Sequence, residues 1–194
     1  IVDTFDRNIS YDVAHISLAK RADLFMVAPA SANVIGKINA GIADDMLTTT
    51  IMACHCPKLI APAMNTAMYE NPIVQNNLKS LKKMGYQIID PAVGMLACKD
   101  VGAGKLPDES LLVNYILREI AFFHDLKGKK IMITAGPTCE AIDPVRYITN
   151  HSSAKRGHDL ALAAMRRGAD VTLVSGKTAL TPPAFVNLVP VVSA

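Results

Sequence analysis

The sequence contains no tryptophan and few other aromatic residues, since Phe, Trp and Tyr together make up 5% of its 194 residues. It also lacks an excess of one charge: 20 Lys and Arg residues stand against 17 Asp and Glu residues, for a formal net charge of +3. Nucleic-acid-binding domains carry basic patches with interleaved aromatic residues, and the basic runs AKRGH and MRRGA are instead typical of solvated helix faces. We therefore expect no nucleic-acid partner.

Long apolar runs and a cysteine framework are absent as well. No segment approaches the roughly 18 apolar residues of a membrane span, and the opening IVDTFDRNISYD lacks the regions of a signal peptide. The four cysteines fit no disulfide framework, and the CHC triplet at 54–56 has no partner pair at zinc-like spacing. We expect a cytoplasmic protein with reduced thiols and no membrane partner, and metal ligands stay unknown.

Short apolar runs alternate with helical patterns along the chain. The runs at 23–30, 57–63 and 87–93 predict strands separated by helices, and the same alternation restarts at residue 131. Continuous rather than alternating hydrophobicity is typical of parallel strands buried on both faces. The pattern predicts an α/β protein with two Rossmann-like, doubly wound units whose sheets are mainly parallel.

A polar, glycine-containing segment, HDLKGKK at 124–130, separates the two patterns. It predicts a boundary near residue 126, with domains at 1–125 and 126–194. The first pattern opens on a helix without a preceding strand and phosphate loop, and the second has fewer strands than a doubly wound sheet needs. We therefore expect both units to be incomplete and the chain to be a fragment of a longer two-domain protein.

Four segments leave predicted strands at the edge where doubly wound sheets collect ligands. These segments are APASAN, APAMN, GMLACKDVGAGK and AGPTCEAIDP. Each candidate residue on them also has a structural alternative. Ser31 and Asn65 are good helix N-caps, Cys98 alone suits a packed thiol, and His15 lies on a predicted amphipathic helix where a surface histidine is common. Their convergence at one edge favours a functional site.

The motifs HISLAKRADL, APASANVIGKINAGIADDMLT, PAMNTAM and ACKDVGAGKL, in this order, resemble the flavin-dependent cysteine decarboxylase family. The stretch ITAGPTCEAIDPVRYITNHSSAKRG that follows resembles the phosphopantothenate–cysteine ligase domain. Together they resemble the bifunctional family of bacterial coenzyme A biosynthesis. The resemblance implies CTP- and Mg²⁺-dependent ligation of cysteine to 4′-phosphopantothenate. It also implies FMN-dependent decarboxylation of 4′-phosphopantothenoylcysteine to 4′-phosphopantetheine.

The resemblance also implies roles for residues of the first unit. The family's active-site histidine matches His15, its asparagine for the substrate carboxylate matches Asn65, and its proton-donating cysteine matches Cys98. That cysteine lies on a substrate-covering loop, and the glycines around Cys98 are expected to let the loop move. Positions that match FMN contacts are Ser31, Ala32, Asn33, Val34, Asp44 and Ala63.

In the ligase segment, Asn150 matches the residue that binds phosphopantothenate. Positions that match the nucleotide loop are Gly136, Ser152, Ala154 and Gly157. The family usually has glycine where this chain has Ala154. If the backbone at this position has a positive φ, alanine is expected to weaken nucleotide binding.

The resemblance further implies a homo-oligomer, with decarboxylase domains in a trimer and ligase domains in dimer contacts. The alternative is a non-catalytic FMN-binding regulatory subunit, or an inactive fragment. The presence of His15, Asn65 and Cys98 beside a ligase segment favours an enzyme.

Overall fold

Two separate parallel sheets organise the computed structural model, which describes residues 14–95 and 101–193. The chain divides into two units, residues 1–112 and 113–194. Each unit has a three-stranded parallel sheet and a two-stranded antiparallel hairpin. The predicted α/β class with mainly parallel sheets is therefore confirmed. No helix among these described residues is long and apolar enough to cross a membrane.

The first unit alternates helices with short strands. Its described elements are α1 (Ala14–Arg21), β1 (Phe25–Ala30), α2 (Ala32–Ala40), α3 (Met46–Ala53), β2 (Lys58–Pro62), α4 (Thr66–Glu70), α5 (Pro72–Lys83), β3 (Gln87–Ile88), β4 (Ala92–Met95), β5 (Val101–Lys105) and the start of α6 (Glu109–Ile120). The sheet order is β1-β2-β3, with Met26 opposite Leu59 and Leu59 opposite Gln87. The central strand β2 lies between the other two, so both of its backbone edges are hydrogen-bonded to neighbouring strands.

The core of the first unit lies between this sheet and helices α2, α3 and α5. Ile60 on β2, Ile35 on α2 and Leu81 on α5 are all fully buried in it. Truncating such a side chain to alanine costs about 2–5 kcal/mol. Local chemistry sets where α5 begins, because the Asn71 side chain accepts a hydrogen bond from the N–H of Ile73 over 2.9 Å, and a proline stands at the first helical position.

The hairpin formed by β4 and β5 differs from the pattern expected from sequence. The apolar run at 87–93 predicts one strand, and the segment 94–105 was expected to be a loop. Instead β3 is two residues long, and β4 pairs antiparallel with β5, placing Gly94 opposite Gly102. Glycine is depleted in strands, so this glycine-rich segment carries no strand pattern even though it forms a ladder.

The second unit contains the remainder of α6 and six further elements. These are β6 (Lys130–Ala135), β7 (Cys139–Ala141), β8 (Tyr147–Thr149), α7 (Lys155–Arg166), β9 (Asp170–Ser175) and β10 (Asn187–Pro190). The parallel sheet has the order β10-β9-β6, and the crossover helix α7 packs against β6 and β9. Leu173 on β9 and Met165 on α7 are buried together in the core. The β7–β8 hairpin was not expected from the sequence.

Phe185, which precedes β10, is held by the end of α6. Its φ is 65°, a conformation that is rare for a bulky side chain. Its ring makes an edge-to-face contact with Tyr115, at 4.5 Å between centroids, and the Arg118 guanidinium lies 4.9 Å from its centroid. Aromatic and cation–π contacts of this kind each contribute about 1 kcal/mol, which offsets the strained backbone.

The polar segment 124–130 is attached to the second unit. The N–H of Leu126 donates to the carbonyl of Arg167 over 3.1 Å, and the Arg167 guanidinium pairs with the Asp125 carboxylate. The compact units themselves divide inside α6, between residues 112 and 113. The predicted domain limits at residues 125 and 126 stay a prediction.

Candidate functional site

The loops after β1 and β2 meet at one edge of the first sheet. Ser31 directly follows β1, and Ala63 directly follows the parallel strand β2. The N–H of Ala63 donates to the carbonyl of Ala30 over 3.0 Å, which joins the two loops. Ser31 and Asn65 therefore lie at the carboxyl-end edge, where doubly wound sheets bind ligands.

The N-terminus of α2 faces outward at this edge. The Ser31 hydroxyl accepts a hydrogen bond from the N–H of Val34 over 3.3 Å, and Ser31 and Asn33 are exposed. Among the residues that the structure describes, no acceptor meets the N–H groups of Ala32 and Asn33. Such first-turn N–H groups favour polar or anionic ligands.

Asn65 is the N-cap of α4. Its Oδ1 accepts a hydrogen bond from the N–H of Ala67 over 2.9 Å, and the side chain is half-buried. The cap bond uses Oδ1, and the amide also carries Nδ2, which can only donate. Capping and ligand binding are therefore compatible roles for Asn65.

Strand β5 contacts residues 63–65, the Asn65 loop, through Gly104. The N–H of Met64 donates to the carbonyl of Gly104 over 3.0 Å. Gly104 has a φ of 136°, and a Cβ added there would collide with the carbonyl oxygen of Met64. The glycine is thus needed for close approach of two backbones, whereas the sequence suggested only loop mobility. Sequence alone did not identify Gly104 as part of this site, because its partner is 40 residues away in the chain.

Two other predicted residues lie on neighbouring elements. His15 is half-buried on α1, which packs against α3. Asp44 is exposed and its carboxylate accepts a hydrogen bond from the Lys37 ammonium over 2.7 Å, which is the main cause of a raised pKa at Lys37. The roles of His15 and Asp44 stay predictions, and Cys98 lies outside the described residues.

The second unit has a cavity of about 770 Å³ at the carboxyl ends of β6 and β9. It is lined by the ends of these strands, by residues 151–157 and by two residues that follow β10. His151, Lys155 and Arg156 are among the lining side chains, and none of the described lining residues is acidic. The cavity therefore suits an anionic ligand.

All the predicted nucleotide-loop positions line this cavity, namely Gly136, Ser152, Ala154 and Gly157. Gly157 allows α7 to approach β6 closely, since an added Cβ would collide with Ala135. Asn150 lies next to this wall, directly after β8, and is exposed. Ala154 has a φ of 59° and caps α7 without a side-chain hydrogen bond. The condition under which alanine was expected to be unfavourable is therefore met.

Metal ligands are not apparent in the described part of the chain. No group of three or more His, Cys, Asp and Glu side chains is arranged there to hold a metal ion. Cys54 is buried, and burial raises the pKa of its thiol. Cys54 therefore fits a packed thiol.

The α/β fold, with loops at the carboxyl ends of parallel strands, defines a Rossmann-like protein. Residues 1–121 match the family described as Flavoprotein, and residues 126–194 match the DNA/pantothenate metabolism flavoprotein C-terminal domain. The chain belongs to the flavoprotein family.

Curated relatives carry both segments. The chain is 49% identical over 197 aligned residues to the coenzyme A biosynthesis bifunctional protein CoaBC of Bacillus subtilis, covering 99% of this chain and 48% of that protein. It is 50% identical over 184 residues to the protein of the same name from Vibrio vulnificus, covering 94% of this chain and 45% of that protein. The predicted resemblance is confirmed, and the chain spans about half the length of these relatives.

Solved structures resemble the chain as well. A PPC decarboxylase mutant complexed with pantothenoylaminoethenethiol is 36% identical, with a TM-score of 0.56 over 60% of this chain and 67% of that one. The FMN binding protein AtHal3 is 37% identical, with a TM-score of 0.53 over 60% of this chain and 66% of that one. The Rossmann-like fold expected from sequence is thus shared with proteins of this group.

Proposed function

We propose that the first unit is an FMN-dependent decarboxylase that converts 4′-phosphopantothenoylcysteine to 4′-phosphopantetheine in coenzyme A biosynthesis. The observation that carries the proposal is the Asn65 loop, which lies between the end of β1 and Gly104 of β5. The relatives named for coenzyme A biosynthesis and the similar PPC decarboxylase structure support it.

The residues at the sheet edge fit a flavin mononucleotide. The α2 N-terminus presents the N–H groups of Ala32 and Asn33 and the exposed side chain of Ser31, and the half-buried Ala63 lies at the same sheet edge. These are the groups that hold phosphate and carbonyl oxygens. When bound, FMN supplies a reversible two-electron oxidation of the substrate's cysteine side chain, which makes loss of carbon dioxide possible.

Asn65 orients the carboxylate that leaves. Donation from Nδ2 fixes the direction of the carboxylate, and a neutral amide adds no positive charge that would hold carbon dioxide back. The cap bond to the N–H of Ala67 favours one orientation of the amide. His15 and Cys98 are proposed to complete the site, Cys98 as the donor of the final proton, because an unperturbed thiol is protonated at neutral pH.

The test is turnover by the purified, FMN-loaded protein. It should release carbon dioxide from 4′-phosphopantothenoylcysteine and form 4′-phosphopantetheine, both followed by mass spectrometry. Removal of FMN should abolish the reaction and its return should restore it. Tight FMN binding without turnover would instead support the regulatory-subunit alternative.

The Cys98 assignment has its own test. Cys98→Ser should release carbon dioxide but fail to complete the reduced product, because a serine hydroxyl is a far weaker acid than a thiol. Normal product at the parent rate would show that Cys98 is a packed thiol and not the proton donor.

A second activity is proposed for the second unit, namely nucleotide binding as part of a phosphopantothenate–cysteine ligase that uses CTP and Mg²⁺. The supporting observation is the cavity of about 770 Å³ with basic lining and an uncapped α7 N-terminus. A helix N-terminus of this kind favours phosphate groups. Calorimetric titration with CTP and Mg²⁺ tests it, and absence of binding would contradict it.

A homo-oligomer remains part of the proposal, with a trimer of decarboxylase domains and dimer contacts between ligase domains. Sedimentation of the purified protein at micromolar concentration tests it, and a monomer would count against it.

A further inference from the structure

His158 makes two hydrogen bonds to one acceptor. Its backbone N–H donates to the carbonyl oxygen of Ala154 over 3.1 Å, and its ring Nδ1 lies 3.1 Å from the same oxygen. A carbonyl oxygen can only accept, so Nδ1 carries the proton and donates. The side chain is only 6% exposed, and water therefore competes weakly for this bond.

Ala154 is held in a conformation that alanine disfavours. Its φ of 59° lies in the left-handed region, where Cβ crowds the following carbonyl oxygen. At its other end, its N–H donates to the Ser152 hydroxyl over 3.4 Å, which is long for a hydrogen bond. The carbonyl of Ala154, with two bonds from His158, is therefore held more firmly than the N–H of Ala154.

The conformation of Ala154 determines the shape of the cavity wall. Ala154 and the first residues of α7, Lys155 to Gly157, all line the cavity. A change of Ala154 to the right-handed region would redirect the peptide N–H groups that follow it. The wall that suits phosphate groups therefore depends on this one left-handed residue.

We propose that His158 is a positioning residue for the phosphate-bearing ligand of the second unit. Its ring holds Ala154 in the left-handed conformation and so keeps the α7 N-terminus directed into the cavity, without contacting the ligand itself. This proposal rests on the nucleotide site proposed above. It implies that the ring bond matters because residue 154 is alanine, since glycine adopts positive φ without strain.

A double-mutant cycle tests the proposal, with calorimetric titration of the purified protein by CTP and Mg²⁺ and, separately, by inorganic triphosphate. His158→Phe keeps a ring in the same space but removes the donor, and should weaken binding about tenfold, the size of one net hydrogen bond. His158→Asn retains a donor at the place of Nδ1 and should bind within about threefold of the parent protein. In the Ala154→Gly background, His158→Phe should weaken binding of the same probes by less than about threefold.

The outcomes separate the proposal from a purely structural role. His158→Phe should still unfold in one cooperative transition, lowered only by the loss of one hydrogen bond, because the aromatic ring fills the buried space. Equal losses from His158→Phe with Ala154 and with glycine at this position would overturn the proposal, as would equal losses from His158→Phe and His158→Asn. If the unsubstituted protein binds neither probe, the nucleotide site itself is wrong, and that failure is recognised before any variant is made.

Discussion

Two asparagines of the first unit cap helices in the same way, yet only one is assigned a chemical role. Asn65 and Asn71 each accept a hydrogen bond from the N–H two residues ahead, both over 2.9 Å. Asn65→Asp preserves the cap acceptor but replaces the amide donor with a negative charge, which repels the substrate carboxylate. We expect decarboxylation to fall at least about 100-fold, the effect of losing about 2.7 kcal/mol of transition-state stabilisation.

Asn71→Asp is the matched control, since it introduces the same charge at the same kind of cap. It should keep activity within about threefold and, like Asn65→Asp, should shift stability by less than about 1 kcal/mol. Steady-state kinetics and urea unfolding give both quantities. Equal losses of activity in the two variants would mean that charge near α4 and α5, rather than the Asn65 amide, is responsible.

The Asp45 cap predicts a pH dependence of stability. Its carboxylate accepts from the N–H of Thr48 over 2.8 Å, the main cause that holds the pKa of Asp45 below its ordinary value. A depressed folded-state pKa stabilises the protein above the unfolded value of about 3.9, and this contribution is lost as pH falls through the lower folded value. Asp45→Ala should cost about 1 kcal/mol at pH 7.

Asp45→Asn keeps a neutral cap and serves as the control for charge. The stability difference between the parent protein and Asp45→Asn should therefore shrink between pH 5 and about pH 3. Urea midpoints measured across this range provide the test. If the stability difference between the two proteins grew on acidification, the lowered pKa of Asp45 would be contradicted.

At the residue scale, local chemistry was predictable and long-range chemistry was not. The caps at Ser31 and Asn65 follow from residue type and position, and both are present. The importance of a positive φ at position 154 could be stated in advance as a condition, because the resembled family usually has glycine where this chain has Ala154, and the φ of 59° meets that condition. The contribution of His158 could not, since it requires knowing which carbonyl the ring meets.

At the level of elements, the contact between β5 and the Asn65 loop requires one glycine, Gly104. Gly104→Ala introduces a Cβ against the Met64 carbonyl as well as an unfavourable φ. We expect it to displace β5 from the Asn65 loop and lower decarboxylation at least about tenfold, equivalent to about 1.4 kcal/mol. Gly128→Ala is the control, because Gly128 also has a positive φ but an added Cβ would meet nothing within 4 Å.

The outcome is measured by kinetics and by hydrogen exchange of the Met64 amide. Gly128→Ala should leave both unchanged, whereas Gly104→Ala should speed exchange of Met64. Unchanged exchange in Gly104→Ala would show that β5 tolerates the side chain by a local shift.

The same scale shows what hydrophobic patterns can predict. The strands β1, β2, β6 and β9 were predictable because each is a continuous, mainly apolar run of the kind that parallel strands show. Of these strands, β2 is buried along most of its length, whereas β6 alternates exposed and half-buried residues. The hairpins β4–β5 and β7–β8 were not, since their strands are short and glycine-rich or exposed. These strands are held by pairing with an antiparallel partner rather than by burial, so they leave no apolar run in the sequence.

At the scale of the whole molecule, the two proposed ligands should act on different units. A ligand that binds only the folded state stabilises it by RT ln(1 + [L]/Kd), about 2.7 kcal/mol at 100 times Kd. FMN should therefore slow hydrogen exchange in residues 14–95, and CTP with Mg²⁺ should slow it in the second unit. Exchange mass spectrometry with each ligand alone tests this, and protection of the opposite unit by either ligand would contradict the assignment of sites.

The contact between Phe185 and the end of α6 has a practical consequence for dividing the gene. A fragment beginning at residue 126, where the C-terminal family match starts, would lack Tyr115 and Arg118 and leave the Phe185 ring without the two groups that flank it. A fragment beginning at Val113 would retain both. Expression of the shorter piece should therefore yield a more protease-sensitive product, in which cleavage begins around the proline-rich stretch before Phe185.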